Sequence, residues 1–103
     1  MAEIATEVSE TLKTIANRNR LLILCQLVSG EKSVGELADC IGMRESSTSH
    51  NLALMRKAGI VSARRDGQTV WYSIQNPEVR SILETLYTVY CAGQDSCRAS
   101  ENE

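Results

Sequence analysis

Apolar residues recur every three or four positions at the start of the chain. This spacing is carried by Ile4, Val8, Leu12 and Ile15. It predicts an amphipathic helix, because residues three and four apart share one helical face. After a polar break at 17–20 the pattern resumes over 21–28, and Gly30 follows as a plausible helix stop. The first thirty residues therefore predict two helices.

A short third helix is predicted to begin at Ser33. Ser33 and Glu36 have the spacing of a capping box, in which each side chain satisfies a backbone N–H of the other residue. This helix would bury Leu37 and Cys40 and end near Gly42. Its length and its glycine stop suit the first helix of a helix-turn-helix.

The fourth predicted helix begins within Arg44–Ser46, runs to about Ala58 and ends before Gly59. Its apolar positions are Leu52, Leu54 and Met55. Its N-terminal half consists of serine, threonine, histidine and asparagine over 46–51, which are poor helix formers but good hydrogen-bonding groups. A helix with this composition is expected to contact a ligand through its polar half.

After Gly59, the spacing between apolar residues changes from three or four positions to two. Two strands are predicted, 60–65 and 68–74, joined by a tight turn at Asp66-Gly67, a pair that favours positive φ at both turn residues. Pro77 then opens a last helix. That helix carries a long apolar stripe: Val79, Ile82, Leu83, Leu86, Val89 and Tyr90. The stripe is more apolar than a small monomer needs and indicates a subunit interface.

These elements predict a mainly α fold with a β-hairpin wing, a winged helix-turn-helix of order ααααββα. The 103 residues suffice for one domain, predicted over 1–92, with a polar C-terminal tail at 93–103. Hydrophobic residues make up 43% and charged residues 23%, which are ordinary values for a globular protein. The N-terminus has no signal-peptide pattern, and no stretch is long and apolar enough to cross a bilayer. We therefore expect a cytoplasmic protein whose thiols are reduced by default.

The charge is unevenly distributed. The net charge is −2, yet the segment 44–66 holds five basic and two acidic residues, which is +3 and leaves −5 for the rest of the chain. A basic segment in an acidic protein is typical of a phosphate-binding surface. A solvated charged face is the alternative, and charge alone does not separate the two.

Several segments together resemble the ArsR/SmtB repressors over about residues 8–91. The resemblance lies in 15–24, 33–38, 49–52, 56–61, 64–68 and 72–74. It implies a homodimer, formed through the first and last helices, that binds double-stranded operator DNA and is released by an inducer. Groove contacts are then expected from Ser47, Thr48, Ser49, His50 and Asn51. Contacts to the DNA backbone are expected from Arg56, Lys57, Arg64 and Arg65.

Metal sensing is the first inducer class to consider for such a family. His50 is the only histidine, so the last helix lacks the ligands of a zinc sensor. The positions of the Cys-x-Cys pair in arsenic, cadmium and lead sensors correspond by the resemblance to Ser33 and Gly35. Cys40 occupies a usually apolar position and is interpreted as a small buried hydrophobe.

Cys25 and Cys91 remain as candidate sensor thiols. Their sequence surroundings resemble the persulfide- and redox-sensing branch of the family, which implies a dithiol that reacts with a small sulfane-sulfur compound or another oxidant. Without the resemblance, Cys25 reads as a core residue and Cys91 as a helix-end thiol. The alternative inducer is As(III) or a soft metal held by Cys91 and Cys97.

Two other functional classes complete the predictions. An antirepressor or activator that competes with other proteins for DNA stays open. An enzyme is not expected, since the chain has no Cys-x-x-Cys and no glycine-rich phosphate loop, and we expect no cofactor.

Overall fold

The structure, a computed structural model, describes residues 1–91, with Cys91 described only as the end of a helix. The helices are α1 (Ala2–Ile15), α2 (Arg18–Leu27), α3 (Val34–Ile41), α4 (Glu45–Lys57) and α5 (Pro77–Cys91). The strands are β1 (Lys32–Ser33), β2 (Val61–Asp66) and β3 (Thr69–Ile74). The mainly α winged helix-turn-helix is confirmed. The predicted tail at 93–103 lies outside the described residues, so the domain boundary stays a prediction.

Two of the helix starts follow directly from local side-chain caps. The Asn17 side chain accepts hydrogen bonds from the backbone N–H groups of Asn19 (3.0 Å) and Arg20 (3.2 Å). The predicted polar break is therefore the cap and first turn of α2. At α3, Ser33 Oγ accepts from the Glu36 N–H (3.2 Å) and the Glu36 carboxylate accepts from the Ser33 N–H (3.0 Å), which confirms the capping box.

The sheet has three antiparallel strands in the order β1-β3-β2, one more than predicted. The additional strand is β1, in which Lys32 pairs with Tyr72 and Ser33 with Trp71. Two residues are too few for a periodic pattern, so the sequence held no strand signal here. Their pairing joins the wing to the start of α3.

The hairpin turn lies one residue later than predicted. Asp66 pairs with Thr69, which leaves Gly67 and Gln68 as the two-residue loop. Gly67 has a φ of 65°, and no residue other than glycine has a positive φ in the described part of the chain. Positive φ at the first loop position alone is the pattern of a type II′ turn, so the predicted Asp66-Gly67 turn with two positive φ values was wrong.

The core lies between α2, α3, α4, the inner face of the sheet and α5. Its fully buried aliphatic side chains are Ile23, Leu24, Leu27, Leu37, Leu52, Met55, Ile60, Val61, Val79 and Leu83. Leu54, predicted as an apolar core position, is instead exposed. It lies about 100° around the helix from Met55 and about 160° from Leu52, so it points away from the core.

Apolar side chains of α1 and α5 are left uncovered in the single chain. Ile4, Val8 and Leu12 of α1 are exposed, as are Val89 and Tyr90 of α5. A groove between the two helices is lined partly by the α1 residues and by Ile82 and Val79 of α5. Clustered apolar surface on these two helices fits the expected homodimer. Within residues 1–91, no helix has the length and apolar character needed to cross a membrane.

Candidate nucleic-acid interface and sensor thiols

The helix-turn-helix consists of α3, a tight turn and α4. The turn closes where the Gly42 and Met43 N–H groups both donate to the Ala38 carbonyl (2.9 and 3.0 Å). Gly42 adopts the left-handed conformation (φ 71°) that ends a helix at no steric cost to glycine. Arg44 follows as the N-cap of α4, and its side chain makes no capping hydrogen bond. The start of α4 thus lies within the predicted range.

One side of α4 presents polar groups to solvent. Ser47, Ser49 and His50 are exposed in its N-terminal half, and Arg56 and Lys57 are exposed in its last turn. A recognition helix reads base edges from its N-terminal residues, while basic side chains bind phosphates. All five side chains are exposed and therefore accessible to a ligand. The exposed Arg44 beside them was not singled out from the sequence, although its charge was counted.

Thr48 does not belong to this surface, which corrects the prediction that it contacts the groove. Its side chain is fully buried (0% exposed), and its hydroxyl donates to the Arg44 carbonyl at 2.9 Å. The signal was present in the sequence: Thr48, Leu52 and Met55 are spaced i, i+4 and i+7, which places all three on the inner face. The predicted DNA contact followed from the polarity of Thr48. Its position in the helix, on the same face as Leu52 and Met55, instead directs its side chain into the core.

Asn51 was also predicted to contact DNA, and its amide is engaged within the protein. Its Oδ1 accepts from Arg20 Nη1 at 3.2 Å, and its Nδ2 donates to the Ser47 carbonyl at 2.9 Å. The side chain is half-buried. Arg20, on α2, was not recognised from the sequence because nothing local indicates a contact 31 residues away.

The two wing arginines have different surroundings. Both are exposed, but only Arg64 is seen to form a two-point contact with Glu31, with Nε to Oε2 at 3.0 Å and Nη2 to Oε1 at 2.7 Å. This hydrogen bonding and charge lower the pKa of the Glu31 carboxyl and raise that of the Arg64 guanidinium. Asp66 adds a weaker attraction, with an N–O separation of 3.9 Å. Arg64 is thus held by a carboxylate in the geometry that a phosphate would use.

The candidate sensor cysteine Cys25 lies in the middle of α2. Its side chain is half-buried, packs against the core and carries a thiol, not a disulfide. Helix α2 packs against α5, and Arg80 of α5 donates to the Val28 carbonyl at the end of α2 at 3.2 Å. The helix that carries Cys25 is therefore in contact with the helix that ends at Cys91. The Cys91 side chain and the whole of Cys97 lie outside the described residues.

Cys40 is not the small buried hydrophobe that was predicted. It is half-buried near the end of α3 and is disulfide-bonded. At 100° per residue, Cys40 lies about 110° from the centre of the buried face formed by Leu37, Ala38 and Ile41. Its direction therefore leaves it at the edge of the core. Among the described side chains, no group of three or more His, Cys, Asp or Glu could hold a metal ion.

A turn-linked helix pair joined to a three-stranded wing defines the fold of winged-helix DNA-binding regulators, with α4 in the place of the recognition helix. The sequence profile of the bacterial regulatory proteins of the arsR family matches residues 17–63. The chain is 38% identical to the biofilm growth-associated repressor of Agrobacterium fabrum, over 93% of this chain and 82% of that one. The chain belongs to the arsR family.

Solved structures agree with this assignment. The chain is 42% identical to the transcriptional activator HlyU of Vibrio cholerae, over 78% of this chain and 74% of that one. The structure of reduced HlyU from that organism superposes with a TM-score of 0.85 at 38% identity, covering 88% of this chain and 96% of the other. A homodimeric winged helix-turn-helix domain from Mycobacterium bovis superposes with a TM-score of 0.75 at 33% identity, covering 85% and 82%.

Proposed function

We propose that the chain is a transcriptional repressor that binds operator DNA as a homodimer. The observation that carries this proposal is the exposed polar side of α4 beside an exposed basic wing, in a chain 38% identical to a repressor. Ser47, Ser49 and His50 read base edges, while phosphate contacts come from the basic side chains of α4 and the wing. Those basic side chains are Arg56, Lys57, Arg64 and Arg65.

The exposed apolar faces of α1 and α5 form the dimer interface in this proposal. A C2 dimer buries the same surface on both subunits and presents two copies of α4. Two recognition helices then read two half-sites related by the same symmetry, which is the reason for a pseudo-palindromic operator. The homodimeric relative from Mycobacterium bovis supports this assembly.

We further propose that Cys25 and Cys91 form the sensor dithiol. The thiolate of one attacks the sulfane sulfur of a persulfide R–S–SH, which gives Cys–S–SH and releases RS⁻. The thiolate of the other attacks the inner sulfur of Cys–S–SH, which forms the Cys25–Cys91 disulfide and releases HS⁻. The two electrons lost by the thiols leave with the sulfane sulfur as hydrosulfide. The packing of α2 against α5 supports the pairing of these two cysteines.

A link between α2 and α5 lowers operator affinity if it favours a conformation in which the recognition helices no longer fit both half-sites. The coupling required is modest, since allosteric effects are commonly about 1–3 kcal/mol, or about 5- to 150-fold in affinity. Val28 and Arg80 already join the two helices, so a shift of α5 would act on α2 directly.

The test is operator affinity by fluorescence anisotropy at fixed salt, before and after polysulfide treatment, with intact-mass spectrometry on the same samples. Salt is fixed because phosphate contacts make affinity salt-dependent. We expect loss of affinity with a two-hydrogen mass loss or whole-sulfur gains at Cys25 and Cys91. Unchanged affinity with unmodified thiols contradicts the sensor.

Four single cysteine variants separate the thiols. Cys25→Ser and Cys91→Ser should lose the response, whereas Cys40→Ser and Cys97→Ser should keep it. A response that needs Cys97 and follows As(III) instead of polysulfide indicates a soft-metal sensor. A response lost in Cys40→Ser moves the sensor to α3, where that residue is disulfide-bonded.

Activation by competition for DNA is the second candidate role, because the similar protein HlyU is described as a transcriptional activator. In this role the chain displaces another DNA-binding protein from the promoter instead of blocking polymerase. Footprinting separates the two roles. A footprint over the core promoter supports repression, whereas one over a second regulator's site, away from the core promoter, supports competition.

A further inference from the structure

Arg20 joins three helices at a position that none of the sequence motifs explains. It lies half-buried in the first turn of α2. Its Nε donates to the Thr14 carbonyl at 2.5 Å, in the last turn of α1, and its Nη1 donates to Asn51 Oδ1 at 3.2 Å, on α4. A cation at the carbonyl end of α1 is favoured by the helix dipole and satisfies a carbonyl of its last turn.

Asn51 completes the connection on the side of α4. Its Nδ2 donates to the Ser47 carbonyl at 2.9 Å, so both ends of its amide are used within the protein. One contact at each amide atom fixes the orientation of the Asn51 side chain, because the oxygen must face Arg20 while the nitrogen faces the Ser47 carbonyl. In this arrangement Asn51 connects α4 to Arg20.

We propose that Arg20 is a positioning residue that fixes the recognition helix α4 relative to α1 and α2 through Asn51. Helix α1 carries the exposed apolar face assigned to the dimer interface. The contact therefore links the dimer interface to the DNA-reading helix, and it sets the separation of the two recognition helices in the dimer. This inference rests on the proposed operator-binding dimer.

A phosphate contact is the competing role for Arg20, and the two roles give different results. Loss of a phosphate contact lowers affinity for all duplexes alike and reduces the slope of log affinity against log salt by about 0.9 per phosphate, or about 1.8 for a dimer. Loss of a positioning contact leaves this slope unchanged. It instead weakens the preference for the correct half-site spacing, since that spacing reflects the geometry of the dimer.

The experiment starts from an operator selected by the wild-type protein out of randomised duplexes. Affinity is measured for this operator and for a version with one base pair added between its half-sites. The variants are Arg20→Lys and Asn51→Ala, together with Arg20→Gln, which removes the charge and tests the salt slope. Lysine keeps the charge, but its single ammonium cannot reproduce the guanidinium fork that serves two acceptors. Arg18→Ala is the matched control, because Arg18 is an exposed arginine two residues away on the same helix.

We expect Arg20→Lys and Asn51→Ala to bind the selected operator less tightly. The ratio of affinities for the selected operator and the version with one added base pair should fall about tenfold, within the range that coupled contacts show. The slope of log affinity against log salt in these variants should match that of the wild type. The spacing preference of Arg18→Ala should also match that of the wild type. Circular dichroism and sedimentation confirm folded dimers, and Asn51→Ala tests the contact from its other end if Arg20→Lys does not fold.

Two results would overturn the inference. One is an unchanged spacing preference in both Arg20→Lys and Asn51→Ala. The other is a salt slope reduced by about 1.8 in Arg20→Gln, which would make Arg20 a phosphate contact. A wild-type protein that selects no duplex overturns the proposed function instead, so the two failures are distinguishable.

Discussion

Replacement of Thr48 by valine tests whether this polar residue of α4 belongs to the protein core and makes no contact with DNA. The change keeps the β-branched shape and removes only the hydroxyl. That hydroxyl donates to the Arg44 carbonyl, but the same carbonyl also accepts from the Thr48 N–H at 3.0 Å. The carbonyl thus keeps a partner after the substitution, and no buried polar group is orphaned.

The expected energies nearly cancel. Loss of one neutral hydrogen bond costs about 0.5–1.5 kcal/mol net. Replacing the buried hydroxyl by a methyl group returns about 0.8 kcal/mol of hydrophobic burial. The helix propensities of threonine and valine are similar. We therefore expect the free energy of unfolding to change by less than about 1 kcal/mol per protomer.

The assay pairs urea unfolding, at fixed protomer concentration, with operator binding by fluorescence anisotropy. We expect operator affinity within about twofold of wild type, whereas a lost base contact costs about 1–3 kcal/mol in each half-site, which is about thirtyfold or more in total. Ser49→Ala is the matched control, since Ser49 is exposed on the next position and should weaken binding. A large loss of operator affinity in Thr48→Val, with unfolding unchanged, would refute the burial argument.

The remaining predictions concern the cap of α3 and the wing. Ser33→Ala should destabilise the protein by about 1 kcal/mol through loss of the capping box, read as a lower urea midpoint with an unchanged slope; an unchanged midpoint contradicts the cap's role. Arg64→Ala should raise the pKa of the Glu31 carboxyl toward 4.5 in an NMR titration. Since the pKa of Glu31 is lowered in the folded state, the stabilisation from this pair is present above the unfolded pKa and is lost as the pH falls through the folded value. If the pKa of Glu31 does not change in Arg64→Ala, Arg64 does not cause the lowered pKa. Glu31→Gln should raise operator affinity at fixed salt, because Arg64 no longer has to exchange the Glu31 carboxylate for a phosphate when DNA binds. Weaker binding would instead show that the pair only orients the wing.

Features that depend on near neighbours can be predicted from the amino-acid sequence. The capping box at Ser33, the glycine end of α3, the strands of the wing and the order of the helices follow from residues within about four positions of one another. The resemblance to one family added the dimer and the DNA-binding role. These predictions succeed because helix caps and apolar periodicity are local properties of the chain.

Which side chains share a surface depends instead on contacts between distant parts of the chain. Glu31 meets Arg64 across 33 residues and Arg20 meets Asn51 across 31, so no local rule links the partners. Thr48 is the intermediate case, because its spacing from Leu52 placed it on the inner face while its polarity suggested the opposite. Strand β1 exists only because β3 passes beside it. In each case the deciding interaction is formed by packing between distant elements, and its free energy is absent until the chain has folded.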